Sequence, residues 1–190
     1  MIYVASKRVS LERLNQKYPT AEIIDVTSSS CSEWIKLSPF YPHGGIPVPN
    51  SEGYYSTCVE AIWQGLKIFS TVDIDISLFC NDTMRNLKRT VRKFGQPLGH
   101  RFGVNSHKLL SYKDARKLIY IPTYNWMLTH RAKHLVDELA RIASYRDIVL
   151  LDYNTNSDVD DSSKPLSHAS VLKVFIETNY SLPYIVQTTF

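Results

Sequence analysis

Glu60 lies one turn inside an apolar helical pattern, entered from a loop crowded with aromatic rings and glycines. A carboxylate in that setting can sit at the mouth of a cleft and stabilise a developing cation or activate a water. The same spacing, Thr57-x-x-Glu60, is also a capping box, in which the side chain reaches back to the Thr57 N–H. The cap and the chemistry do not exclude each other. Ser111-x-x-Asp114 reads only as a cap. A second acidic group, Asp152, Asn154, Asn156, Asp158, Asp160 and Asp161, resembles the opening of a calcium loop, but Ser157 stands where the loop needs glycine and Ser163 where it needs a bidentate glutamate. Its carboxylates are candidates for acid–base work or for ribose hydroxyls, against the plainer reading of a solvated turn.

His130 and His134 have the i,i+4 spacing of a zinc pair, with no glutamate beside the first and no evident third ligand, so two solvated histidines are the better reading. Positive charge is concentrated between Asn81 and Lys108, where seven lysines and arginines face one aspartate, Asp82. Arg85, Lys88, Arg89, Arg92 and Lys93 would share one side of a helix over Asn81–Phe94, with Met84, Leu87, Val91 and Phe94 on the other. That face could attract nucleic acid or a phosphorylated small molecule, or simply be solvated. Phe40, Tyr41, Tyr54, Tyr55 and Trp63 gather around the first long loop, where flat rings with polar edges suit base stacking or loop packing.

The elements that must position these groups follow from periodicity. Ile2–Ala5 and Ala21–Val26 read as strands around a helix capped by Ser10, a β-α-β opening over residues 1–27. Thr27–Thr57, with four prolines and three glycines, reads as a packed irregular loop. Helices are expected at Cys58–Phe69, Asn81–Phe94 (ended by Gly95), Ser111–Tyr120 and Thr123–Ser144, the last two jointed at Pro122. Asp147–Asp152 reads as a buried strand, Tyr153–Lys164 as a polar loop, and Ser167 as the start of a closing helix through Ile176. The expected architecture is one α+β domain over 1–190, mainly helical with a few short strands.

With 190 residues, 44% apolar content and a net charge of +4, the chain can bury a core without disulfides or a structural metal, and it carries too little charge overall to require a polyanion. Cys31, Cys58 and Cys80 form no C-x-x-C pair, which points to a reducing, cytoplasmic setting. Neither a leader peptide nor a stretch near the ~18 apolar residues of a membrane span is seen.

Taken in order, several segments resemble the NADAR superfamily, the NAD- and ADP-ribose-associated domains that include the YbiA-like N-glycosidases. Leu37-Ser38-Pro39-Phe40-Tyr41-Pro42 is similar to that family's serine–aromatic turn, and Tyr55–Lys67 to its glutamate helix with a downstream Gln and Lys. Leu98-Gly99-His100-Arg101 resembles its Gly-Arg element, Trp126-Met127-Leu128 its tryptophan helix, and Asp158 or Asp160 its acidic loop. The likeness spans about residues 37–176; Ala61 replaces the histidine that usually follows the glutamate, and the acidic loop lacks a Trp-Gly pair.

The resemblance implies a NADAR-like fold and hydrolysis of an N-glycosidic bond at ribose C1′ of an ADP-ribosyl adduct or nucleotide-like riboside. It makes Glu60 the catalytic carboxylate and gives Asp158 or Asp160 the ribose or the water. Lys67 and Arg101 would bind phosphate, Gln64 would orient the sugar, and Phe40, Tyr41, Gly99 and Trp126 would line the substrate site. The alternative is a non-catalytic nucleic-acid- or ADP-ribose-binding module using the Arg85–Lys93 helix, with Arg85, Lys88, Arg89 and Arg92 on phosphates. Neither reading calls for a metal, an organic cofactor, a membrane or an obligate protein partner.

Overall fold

The structure is a computed structural model and describes residues 1–181. Strand β1 (Ile2–Ser6), helix α1 (Leu11–Lys17, capped by the Ser10 hydroxyl) and strand β2 (Glu22–Asp25) form the expected β-α-β opening. The two strands are not neighbours, however. The apolar strand Ile148–Asp152, the last of eight among the described residues and so β8, lies between them, parallel to both, with Ser6 opposite Asp152 and Asp25 opposite Leu151. A parallel strand buried on both faces reads as a continuous apolar run, as Ile148-Val149-Leu150-Leu151 does.

The loop after β2 carries a 3-10 turn (Glu33–Leu37) and a two-residue ladder of β3 (Ile46–Pro47) with β4 (Tyr55–Ser56). Helix α2 runs Val59–Gly65 and not on to Phe69. Its end is set by a close approach: a Cβ on Gly65 would lie 2.5 Å from the Phe79 ring and 2.9 Å from the Asp75 carbonyl oxygen. Glycine admits the 3-10 segment Ile76–Cys80 there, and Lys67–Phe69 become β5. This strand pairs with β6 (Pro97–Arg101), which pairs with β7 (Leu109–Leu110).

The expected helix over Asn81–Phe94 does not form. Asn81 turns the chain by accepting the Thr83 N–H and donating to the Arg85 carbonyl. Met84 and Asn86 then take left-handed backbone (φ 58° each) that interrupts a right-handed helix. Only α3 (Val91–Phe94) is helical, stopped by Gly95 at φ 80° as the sequence indicates. Leu87 is buried against Cys58, Ala61 and Phe40, so the segment lies across the start of α2.

Pro122 is not a joint either. Helix α4 (Tyr112–Ala115), whose Ser111–Asp114 cap is present, passes through a π-helical turn (Arg116–Tyr120) into α5 (Ile121–His130). Widening the turn just before a residue that has no N–H to donate lets the helix continue through the proline. The break falls instead at Arg131–Ala132, before α6 (Lys133–Tyr145). His130 and His134 therefore belong to different helices, and His130 stacks on Trp126 at 4.4 Å. Helix α7 (His168–Asn179) closes the fold, capped by Ser167. One main core joins α2, α5, α6, α7 and the inner faces of β2 and β8, which makes the α+β class a property of the structure.

Candidate active site

Parallel strands direct the ends of their chains, and the turns that follow, to one edge of the sheet, where ligands bind in α/β architectures. At that edge Arg8 follows β1, Ser28 follows β2, and Asp152, Tyr153 and Asn154 end and follow β8. All five line a cleft of about 580 Å³. Its opposite wall comes from α2, which contributes Glu60, Trp63 and Gln64, with Lys67 just beyond. Phe40, from the loop before α2, and Lys88 and Arg89, from the segment that crosses it, complete that side. The α4–π segment adds Tyr112, Arg116 and Tyr120, and α7 adds His168. A neighbouring cavity of about 440 Å³ shares Ser28, Phe40, Lys88 and Tyr153 and is walled by the left-handed Met84 and Asn86.

The capping-box expectation for Glu60 is corrected. The N-cap of α2 is Cys58, whose Sγ accepts the Ala61 N–H at 3.3 Å, while the Thr57 hydroxyl donates to the Asn81 carbonyl. Freed from the cap, the buried Glu60 carboxylate accepts the Gln64 side-chain N–H at 2.7 Å. Gln64 is fixed in its turn, because its Oε1 accepts from Lys67 Nζ at 2.9 Å and from the Arg89 backbone N–H at 3.1 Å. Burial pushes the Glu60 carboxyl above its ordinary range, opposed by the Gln64 hydrogen bond and by Lys67, Lys88 and His168. Burial likewise lowers Lys67, with Glu60 opposing. A carboxylate whose proton affinity is raised is a stronger base toward water.

The cations of the cleft differ in what they have left to offer. The buried Arg89 guanidinium donates to the Lys67 and Asp73 carbonyls, each at 2.7 Å. The buried Arg116 guanidinium donates to the carbonyls of Val159 (3.0 Å), Asp161 (2.7 Å) and Lys164, and thereby fixes the loop after β8. Arg8 and Lys88 are exposed, and among the described residues neither is in an ion pair or a side-chain hydrogen bond; Lys88 lies over the Phe40 ring at 5.4 Å. Below the aromatic wall, His100 stacks on Trp63 at 3.8 Å with neither ring nitrogen hydrogen-bonded, and burial, aided by Lys67, holds it neutral with its pKa near 3.

Of the candidate residues singled out in the sequence, Phe40, Glu60, Trp63, Gln64, Lys67, Lys88, Arg89, Asp152 and Asn154 meet in this cleft. The others lie outside its lining. Tyr41 packs on His43 at 4.8 Å and Trp126 on His130. Arg101 is paired with Asp73 at 2.8 Å. Gly99 serves the β6–β7 approach, since a Cβ there would lie 2.3 Å from the Leu110 carbonyl oxygen. Asp160 is exposed and paired with Lys117 at 2.7 Å, and Asp158 accepts the Asp160 N–H. Arg85 and Arg92 are exposed on a segment without a common helical face, which removes the continuous basic helix on which a nucleic-acid surface was expected.

The model of a family of unknown function, DUF6939, matches residues 6–172. The chain belongs to DUF6939. No curated protein and no solved structure matches it. In this DUF6939 member the site residues that sequence reasoning passed over are His168, Arg116, Tyr112, Tyr120 and Arg8, whereas Asp152 was already among the acidic candidates. Those missed residues come together only through the strand order and the π turn. Among the described residues no cluster of three or more His, Cys, Asp or Glu could hold a metal ion, and no helix is long and apolar enough to cross a membrane.

Proposed function

We propose that this protein is a hydrolase that cleaves the N-glycosidic bond at ribose C1′ of an anionic nucleotide-like substrate, ADP-ribosyl adducts included. The observation that carries the reading is a buried carboxylate in a cleft whose other charges are mainly positive. Arg8, Lys67, Lys88, Arg89 and Arg116 are set against Glu60 and Asp152, among the rings of Phe40, Trp63, Tyr112, Tyr120 and Tyr153. Cations draw a phosphate, aromatic faces accept a base, and a carboxylate between them suits a reaction centre that turns positive.

In the proposed reaction, the C1′–N bond breaks with its electron pair leaving on the base, which takes up a proton from solvent, balanced by the proton that Glu60 takes from water and then returns to solvent. A water oxygen bonds to C1′ as Glu60 accepts that water's proton, and the same carboxylate stabilises the oxocarbenium character between the two events. Gln64 holds the carboxylate orientation through the 2.7 Å hydrogen bond. Arg8 and Lys88, the two lysine or arginine side chains of the cleft lining that have no protein acceptor among the described residues, are assigned to the phosphate. Arg89 and Arg116 shape the walls, and Asp158, Asp160 and Arg101 have no part in the reaction. The resemblance to NADAR glycosidases supports the same reading through Glu60, Gln64 and Lys67, and a cytoplasmic setting belongs to the proposal, consistent with the three free cysteines.

The test is mass-spectrometric detection of free base and ribose phosphate or ADP-ribose released from a panel of N-ribosides and ADP-ribosylated nucleic acid and protein. Native protein and Glu60→Gln are compared. Release by the native protein that Glu60→Gln loses supports the reading. Tight binding of panel members without release would replace it with a non-catalytic binding module.

A further inference from the structure

Asp152 ends the central strand and faces the first turn of α7. Its Oδ2 accepts the Ser167 hydroxyl proton at 2.7 Å and lies 3.4 Å from the Ala169 N–H, while Oδ1 accepts the Tyr153 N–H at 2.6 Å. The Ser167 oxygen itself accepts the Ser170 N–H as the helix cap, so its hydroxyl proton is free for Asp152. A carboxyl group met by several donors is ionised and can only accept. His168 Nδ1 lies 3.0 Å from the same Oδ2 and must therefore donate. Its Nε2 lies 2.9 Å from the Val26 carbonyl oxygen, which also can only accept. With an acceptor at each nitrogen, the buried ring carries both protons and is an imidazolium.

We propose that His168 is a positioning residue, a buried imidazolium held between Asp152 and the Val26 carbonyl, whose charge keeps the Glu60 carboxylate ionised in the cleft. The charge state stands on the hydrogen bonds alone, and the catalytic consequence rests on the glycosidase reading of Glu60. The ring meets Asp152 from β8, the Val26 carbonyl after β2 and Tyr124 from α5, whose ring is edge-on at 6.2 Å, and it lines the same cleft as Glu60 from α2. Burial keeps the Tyr124 phenol neutral, so the two charged neighbours are the carboxylates. A cation in the first turn of a helix opposes the helix dipole, and Asp152 at the same helix end offsets that cost. Lys67 and Lys88 act on Glu60 more strongly than His168 does, so the imidazolium adds to their effect; because Lys88 is exposed and Lys67 only partly buried, added salt screens them more than it screens the buried His168.

The experiment is NMR of the full chain carrying ¹⁵N-labelled histidine and ¹³C-labelled glutamate, titrated from acid to alkaline pH. Both His168 ring nitrogens are expected to be protonated at neutral pH. The Glu60 Cδ signal is expected to show a second inflection where His168 loses its proton, the mark of coupled titration. An unprotonated ring nitrogen at neutral pH, or a Glu60 curve without that inflection, overturns the proposal. In His168→Gln the Glu60 titration should move to higher pH. The acid limb of kcat/KM should then fall by about fivefold or more while the alkaline side is little changed. An equal loss at all pH values would mark a purely structural role and also overturn it. If His168→Gln does not fold, the native titration decides alone. Retained turnover in Glu60→Gln with coupled titration would defeat the glycosidase reading and leave the coupling standing; a neutral His168 beside an inactive Glu60→Gln would do the reverse.

Discussion

Replacing Glu60 by glutamine changes charge while leaving shape almost untouched, and the structure assigns opposite signs to its effects on activity and stability. The new amide oxygen can still accept the Gln64 N–H, so the Gln64–Lys67–Arg89 network keeps its acceptor. Burial raises the Glu60 carboxyl in the folded protein, so the unfolded chain binds fewer protons there than the folded one as pH climbs past the ordinary carboxylate range. Stability then falls with rising pH until the folded-state group has ionised, and the charged Glu60 costs stability at neutral pH. Each tenfold of that preference is worth about 1.4 kcal/mol, and about 1 kcal/mol moves Tm by ~2–4 °C in a chain of this size. Glu60→Gln should therefore melt at the same temperature as the native protein or a few degrees above it at pH 7, with the difference vanishing below about pH 4. Turnover should drop by about 10²–10⁴, the usual contribution of a positioned acid–base group. Release of base and ribose product would be followed by mass spectrometry and melting by circular dichroism across pH. A variant that melts several degrees lower at pH 7, or that keeps full turnover, would refute the assignment of a strained functional carboxylate.

Lys88→Ala should raise KM for a phosphorylated substrate about tenfold or more with little change in kcat, whereas Arg101→Ala, whose partner is Asp73 outside the cleft, should leave both unchanged; steady-state kinetics decides between them. Arg116→Met should cost roughly 1–3 kcal/mol, because it removes the charged donor from the partly buried carbonyls of Val159 and Asp161 and from that of Lys164, leaving the last two only the Asn156 amide. It should also open residues 153–164 to limited proteolysis, so a variant with native melting and an uncut loop would contradict that role. The Asp152–His168 pair should make stability bell-shaped in pH. Burial raises Asp152, but the His168 charge and hydrogen bonds outweigh it and leave the carboxyl lowered, so its contribution is present above the unfolded carboxylate range and lost as pH falls through the folded value. Burial lowers His168, but Asp152 outweighs it and leaves the ring raised, so its contribution is full below the unfolded histidine range and lost as pH rises through the folded value. Urea unfolding of native protein and Asp152→Asn should show a plateau between the two limits only in the native chain.

Local chemistry determined much of this protein. The β-α-β opening, the apolar strand at 148–152, the Ser10, Ser111 and Ser167 caps and the stop at Gly95 follow from hydrogen-bonding side chains and hydrophobic period, which act over a few residues. Glu60, Gln64 and Lys67 were grouped through the family resemblance, and three- and four-residue spacings are what bring their side chains together on or near one helix. Tertiary structure decided the rest. Amphipathic spacing over Asn81–Phe94 yielded to the burial of Leu87 on α2 and to left-handed Met84 and Asn86, which no pattern of apolar residues encodes. Arg89 read as part of a charged helix face, yet its guanidinium, like that of Arg116, is engaged by carbonyls distant in sequence. The insertion of β8 between β1 and β2 brought Arg8, Ser28 and Asp152 to one edge and His168 to Glu60's cleft. Strand order depends on which apolar faces fit together across more than a hundred residues of chain, and a linear pattern carries no record of that choice.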